Sequence, residues 1–195
     1  MNRIRQCTAV LLLALAAHGC QSAPKAPEYP PIRFTDGAPI RLDVARIEIV
    51  EQYRPPLAAP NVEHAFPVRP AEAVAQWARD RLRAAGAQGR AEVVILDASA
   101  IEVALKKTTG FRGMLTTDQS ERYDASISVE LRIFDGRNRR RASASAKAKR
   151  SRSVPEDITL NGREKVWYAM TAKMMDTIDQ ALRRQIRQSL AEFVK

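Results

Sequence analysis

Cysteine and histidine are nearly absent: the 195 residues hold two of each. The cysteines are Cys7 and Cys20, and the histidines are His18 and His64. Beyond residue 20, then, no disulfide, thiolate nucleophile or cysteine metal site can form. A Ser-His-Asp group there would have to use His64. That residue lies in Pro60-Asn61-Val62-Glu63-His64-Ala65-Phe66-Pro67, a loop-like segment that reads as solvent-exposed. A glycine-rich phosphate loop and an HExxH pattern are also missing. No apolar run reaches the roughly 20 residues that cross a bilayer as a helix. The expectation is a non-enzymatic protein with no cofactor and no metal site.

What is present starts with Asn2-Arg3-Ile4-Arg5, two positive charges, followed by an apolar run from Thr8 to Ala17 and by His18-Gly19-Cys20. A charged region, a short apolar region and a small residue before the cut make a secretory signal peptide. With a Cys just after the expected cut, the segment resembles the lipobox of bacterial lipoproteins. That resemblance implies removal of residues 1–19, diacylation of the Cys20 sulfur and acylation of its amine with palmitate-type chains. Gln21 stands where an Asp would resemble an inner-membrane retention signal, so the expected address is the outer membrane, facing the periplasm.

The whole chain carries a formal charge of +10, and removal of Arg3 and Arg5 with the leader leaves +8. So basic a protein in the cytoplasm would suggest nucleic acid. An exported one does not. Its available anions are lipid phosphates, lipopolysaccharide, teichoic-type polymers and acidic protein surfaces, all of which a basic domain meets faster.

Pro24, Pro27, Pro30, Pro31 and Pro39 mark 20–39 as the lipidated Cys and an extended tether, at about 3.1 Å per residue where polyproline-like. Residues 40–195 are then a single domain. Ile40 to Val50 reads as one strand whose apolar parity changes near Ala45-Arg46, as a bulge would cause. The proline-bearing stretch 51–69 is a long loop, of the kind that is often functional or mobile. Pro70 opens a helix, with Val74, Trp77, Ala78, Leu82 and Ala85 on one stripe, Arg79, Asp80, Arg81 and Arg83 off it, and Gly86 as its cap.

Val93-Val94-Ile95-Leu96 is apolar on both parities and predicts a central strand, with alternation resuming at Ile101, Val103 and Leu105. Residues 106–121 read as a flexible connection. Next come Tyr123, Ala125, Ile127, Val129, Leu131 and Ile133 on one face of a strand, and Asp124, Ser126, Ser128, Glu130 and Arg132 on the other. Asp135-Gly136 supplies a hairpin turn. The returning strand turns Ala142, Ala144, Ala146 and Ala148 inward, so something bulky must lie over those methyls. The stripe Val166, Trp167, Met170, Met174, Ile178, Ala181, Leu182, Ile186, Leu190 and Phe193 supplies it, on a helix with a capping-box-like start at Asn161-Gly162-Arg163-Glu164. Over about 162–194 that helix would be near 50 Å long. A four-stranded sheet is too narrow to cover it, so the part beyond Leu182 is expected to project, break or meet a partner.

The order is β-α-β-β-β-α, an α+β two-layer sandwich in which a four-stranded, mostly antiparallel sheet carries two helices on one face. Element order over 40–190, Glu121-Arg122-Tyr123 leading into the alternating strand, and the Arg163–Ile186 helix together resemble the LptE-type and YajG-type small periplasmic lipoproteins. The resemblance implies an envelope assembly or transport accessory that binds a partner such as a barrel or transport complex. Directly after the Cys, Gln21-Ser22-Ala23-Pro24 differs from the Gly-Phe usual in LptE-type chains.

The sharpest charge feature is Arg137-Asn138-Arg139-Arg140-Arg141, followed by Lys147, Lys149, Arg150 and Arg152. Guanidinium groups suit phosphate and carboxylate, so Arg137, Arg139, Arg140, Arg141, Lys147, Lys149 and Arg150 are candidate anion-binding residues. The same charges on an edge strand would also guard against sheet-to-sheet aggregation. Three functions follow: a membrane-anchored lipoprotein that binds an envelope protein complex, direct binding of an anionic glycolipid through 137–152, and, remotely, an envelope hydrolase using Asp118 and Glu121.

Overall fold

The computed structural model describes residues 28–105 and 119–195. Cys20, Asp118 and most of the 106–121 connection lie outside the described residues. Strands β1 (Ile40–Leu42) and β2 (Arg46–Glu51) lead to helix α1 (Pro70–Arg81). Then follow β3 (Leu82–Ala84), β4 (Arg90–Ala104), β5 (Gln119–Phe134), β6 (Arg140–Pro155) and the long helix α2 (Leu160–Ser189). The main sheet has the order β2-β4-β5-β6; β2 runs parallel to β4, and the other neighbours are antiparallel. Both helices pack on one face, giving the expected α+β two-layer sandwich.

The alternation of β5 builds the core directly. Tyr123, Ala125, Ile127, Val129, Leu131 and Ile133 are all buried beneath the helices. Helix α2 packs most heavily on β6, whose small inward residues Ala144, Ala146 and Ala148 let it approach. Trp167 stacks on Phe66 at 5.1 Å and meets Tyr123 edge-on at 5.4 Å.

Several elements differ from the sequence reading, each because a distant segment supplies a partner. The strand expected over 40–50 is two strands in two sheets. β1 pairs in parallel with β3, while β2 pairs with β4. That pairing draws Leu82 into extended backbone, so α1 ends at Arg81 and Gly86 is no helix cap. Gly86 is needed for closeness: a Cβ there would lie 2.6 Å from the backbone of Asp43 and Val44. Thr159, not Asn161, caps α2, its hydroxyl accepting the Gly162 N–H at 3.1 Å. At the β5–β6 hairpin, Asn138 takes the left-handed conformation (φ 62°) while Asp135 Oδ1 accepts the N–H groups of Arg137 and Arg139. After a bulge between Ile95 and Asp97, Ala98 and Ala100 point inward, so Ile101 lies on the outer face.

Helix α2 does not project. Strands β4 to β6 are 15–16 residues each, about 50 Å at 3.3 Å per residue, and match the helix lengthwise. Ile186 and Leu190 are buried, Phe193 O accepts the Asp43 N–H at 2.8 Å, and Val194 bridges Leu42.

Nor is all of 20–39 free chain. Arg33 grips the Asp80 carboxylate through two hydrogen bonds of 2.9 and 3.0 Å, and the Phe34 N–H adds a third at 3.0 Å. Phe34 itself is buried. Arg81, expected off the apolar stripe, is buried at a stripe position facing α2. It forms a two-pronged pair with Asp179 (2.8 and 3.0 Å), to which Trp77 also donates at 2.8 Å, and it reaches the backbone and side chain of Asp36 at 2.8 Å. Burying such charges is costly unless every donor and acceptor is matched. Here one cluster meets that demand and ties 28–39 to both helices.

Candidate functional site

The outer face of the sheet is built of short side chains flanked by long ones. Outward positions on β4, β5 and β6 place Ser99, Ser126 and Lys149 in one cross-strand row and Asp97, Ser128 and Lys147 in the next. Because serine rises little above the pleat, the flanking Lys and Arg stems become walls. The result is an open depression of about 620 Å³ with Ser99, Ser126 and Ser151 at its floor and Arg122, Lys147, Lys149 and Arg150 around it. Ser126 Oγ is buried and has no hydrogen-bond partner among the described residues.

Charge is not evenly satisfied across this face. Arg122 is held by Asp124 (3.0 and 2.8 Å), whose carboxylate also accepts from Ser151 Oγ at 2.5 Å. The Arg122 hydrogen bond keeps Asp124 below the ordinary aspartate range. Arg132 does the same for Glu130 at 2.7 Å. Arg90 lies over the Phe134 ring at 4.1 Å and pairs with Glu92 at 2.8 Å.

The basic residues singled out from sequence divide into two groups. At the hairpin end, Arg139 and Arg141 share Asp135 at 3.0 and 3.7 Å, and Arg140 lies 3.4 Å from Glu130. Arg137 is exposed in the turn. Further along β6, Lys147, Lys149, Arg150 and Arg152 have no acidic partner among the described residues. Arg141 and Lys147 are six residues apart on an extended strand, about 20 Å. The expected single cluster 137–152 is therefore a largely neutralised tip and a separate unpaired row. Lys147, Lys149 and Arg150 of the row border the depression; Arg152 and the tip do not.

Two features went unread in the sequence: Arg122, Asp97 and Asp124 as part of the depression, and its serine floor. The signal was available, since Ser126, Ser128, Ser143 and Ser145 recur at outward parity, but only the strand register shows which serines lie beside which lysines.

The remaining candidates are engaged elsewhere. Glu121 accepts from Tyr123 at 2.9 Å and pairs with Arg163 at 3.0 Å. His64 is exposed at the rim of a cleft of about 280 Å³ between the 52–69 loop and α1. Its neighbour Glu63 is buried and accepts from Tyr53 Oη (2.7 Å), the Ala100 N–H (3.1 Å) and Asn61 Nδ2 (3.3 Å). Burial first, then the bond to Glu63, push the Tyr53 hydroxyl above its ordinary range. This network fastens the loop to β4. Among the described residues, no group of three or more His, Cys, Asp or Glu side chains is placed to hold a metal ion. No known family model and no curated protein sequence matches the chain.

Proposed function

We propose that the chain is a lipoprotein anchored in the outer membrane through Cys20, whose domain binds an anionic envelope partner protein as a non-catalytic assembly or transport accessory. The observation that carries this reading is the unpaired row Lys147, Lys149, Arg150 and Arg152 beside an open depression, on a sheet whose other charges are mostly matched. Exposed cations without an ion-pair partner are free to meet an outside anion, and they speed encounter with one. The supposed overhang of the long helix lends no support, because that helix is packed to its end.

A photo-crosslinking residue at Ser145, between the two basic groups, tests the reading in cells. A reproducible protein adduct, lost or redistributed in Cys20→Ala, is the expected result. No adduct from either strain sinks the proposal. The second reading is direct binding of an anionic glycolipid such as lipopolysaccharide, favoured by the hydroxyl floor and the unpartnered Ser126 Oγ. A lipid adduct at the same position would select it.

A further inference from the structure

We propose that β6 accepts an acidic, extended segment of a partner protein as a fifth strand. The free edge would supply backbone hydrogen bonds, and Lys147, Lys149, Arg150 and Arg152 would select the charge. This deepens the anionic-partner reading and rests on it.

The edge is open. β6 ends the sheet order, and among the described residues no backbone hydrogen bond joins Ala142–Val154 to anything but β5. It is also regular. Pairing with β5 runs without a register shift from Ala142 opposite Ile133 to Val154 opposite Glu121, and irregularities occur only at the two ends. Of the usual devices that stop a strand from joining an edge, which are bulges, prolines and charged side chains, β6 has only the charges, since its sole proline, Pro155, is the last residue. Finally, the edge is firm, because α2 is seated on the inward alanines of the same strand. Strand addition uses such an edge for affinity and alternate side chains for choice.

Charge decides the occupant. In a pair of β6 edges from two copies, the basic half of each strand would lie beside another strand with no acid in it, and like charges placed opposite one another destabilise a sheet. A second copy is therefore disfavoured, and an acidic segment is favoured. Lys147 and Lys149 point to the outer face, while Arg150 and Arg152, exposed, have the opposite parity. About six residues of partner strand, some 20 Å, would span all four cations.

The experiment uses the full lipidated chain in detergent and three probes. The first is a synthetic eight-residue peptide alternating Glu and Val; the second is the same peptide N-methylated at every residue, which keeps its charges but has no amide donor. The third is dextran sulfate, an anion with no strand to add. The first peptide should bind at least about tenfold more tightly than the second and protect free-side β6 amides from hydrogen exchange. Replacing Lys147, Lys149, Arg150 and Arg152 with Ser should weaken it by at least about threefold, as the two opposite-charge pairs that an alternating peptide can form on one face would suggest. Equal binding of the two peptides, or binding of neither, overturns strand addition. If dextran sulfate still binds and the quadruple variant loses it, the anionic reading survives that failure; if dextran sulfate does not bind, both readings fall.

Discussion

At one edge of the sheet β2 stops after six residues and the chain itself takes over; at the other, β6 runs for 16 with no described strand beside it. Past the end of β2, Val62 N–H donates to Ala100 O at 2.9 Å and Glu102 N–H donates to Pro60 O at 2.8 Å. Glu63 takes the Ala100 N–H between them. The edge of β4 beyond β2 is thus closed by a proline-bearing loop held by a buried carboxylate, and only the six residues of β2 itself stay at the margin there. The β6 edge is left open and given lysine and arginine instead. Both devices are of the kind that discourages edge-to-edge pairing, but among the described residues the second leaves the longer run of backbone groups available to a partner of the right charge.

The closed edge can be broken at one residue. Glu63→Ala leaves the Tyr53 hydroxyl and the Ala100 N–H, both in buried or part-buried surroundings, without their acceptor. Leaving such groups unmatched costs about 2–3 kcal/mol. Urea unfolding should show a lower midpoint with an unchanged slope, and the Ala100 and Glu102 amides should exchange faster while those of β6 do not. Unaltered exchange at Ala100 would mean that the loop is held by something other than Glu63.

The open edge depends on what lies under it. Ala144 is buried where α2 meets β6, and Ala144→Leu would force the helix off the strand. Overpacking of this kind costs about 2 kcal/mol, read as a drop in thermal midpoint. The free-side amides of β6 should lose protection as their support loosens. A variant as stable as the parent would show that the alanine row is not what brings the helix close.

How much of this contrast could be read beforehand depends on the range of the interactions. Tyr123 to Ile133 and Ala142 to Ala148 alternate cleanly, so β5, β6 and the helix above them were legible from local pattern. Features governed by distant partners were not. Leu82 leaves its helix because Ile40 pairs with it, Arg81 is buried because Asp179 lies opposite, and Phe34 docks because Asp80 holds Arg33. The closing of the β4 edge by Pro60 to Glu63 belongs to this class. The candidate site was half legible: its cations were evident, but the division between tip and mid-strand follows from Asp135 and Glu130, whose positions come from register.

A smaller effect separates guarding from binding. Lys147→Ser with Lys149→Ser removes exposed charges that have no acidic partner, and should alter folding stability by less than about 0.5 kcal/mol. If the charges guard the open edge, this chain should self-associate in sedimentation velocity where the parent stays monomeric, and added Glu63→Ala should not mimic it. A monomeric double variant would assign the lysines to ligand selection alone.

The finest test uses pH. Asp124 lies on the depression and is held below the ordinary aspartate value, about 4, by its hydrogen bond to Arg122. A depressed carboxylate contributes stability that is present above its unfolded value and lost as pH falls through its folded one. As pH falls past about 4 and on through that lowered value, Asp124 takes up a proton, the Arg122 pair loosens, and the open side of the sheet gains one positive charge. Dextran sulfate stays ionised over this range, so its binding should tighten modestly only once pH has fallen from about 4 through that lowered value. Asp124→Asn should show the tighter binding already at neutral pH, with a smaller change on acidification. Asp97, the other acid lining the depression, is unaltered in both chains, so the difference between them isolates Asp124. Equal pH profiles would place the sulfate-binding cations away from Arg122, towards the β6 edge itself.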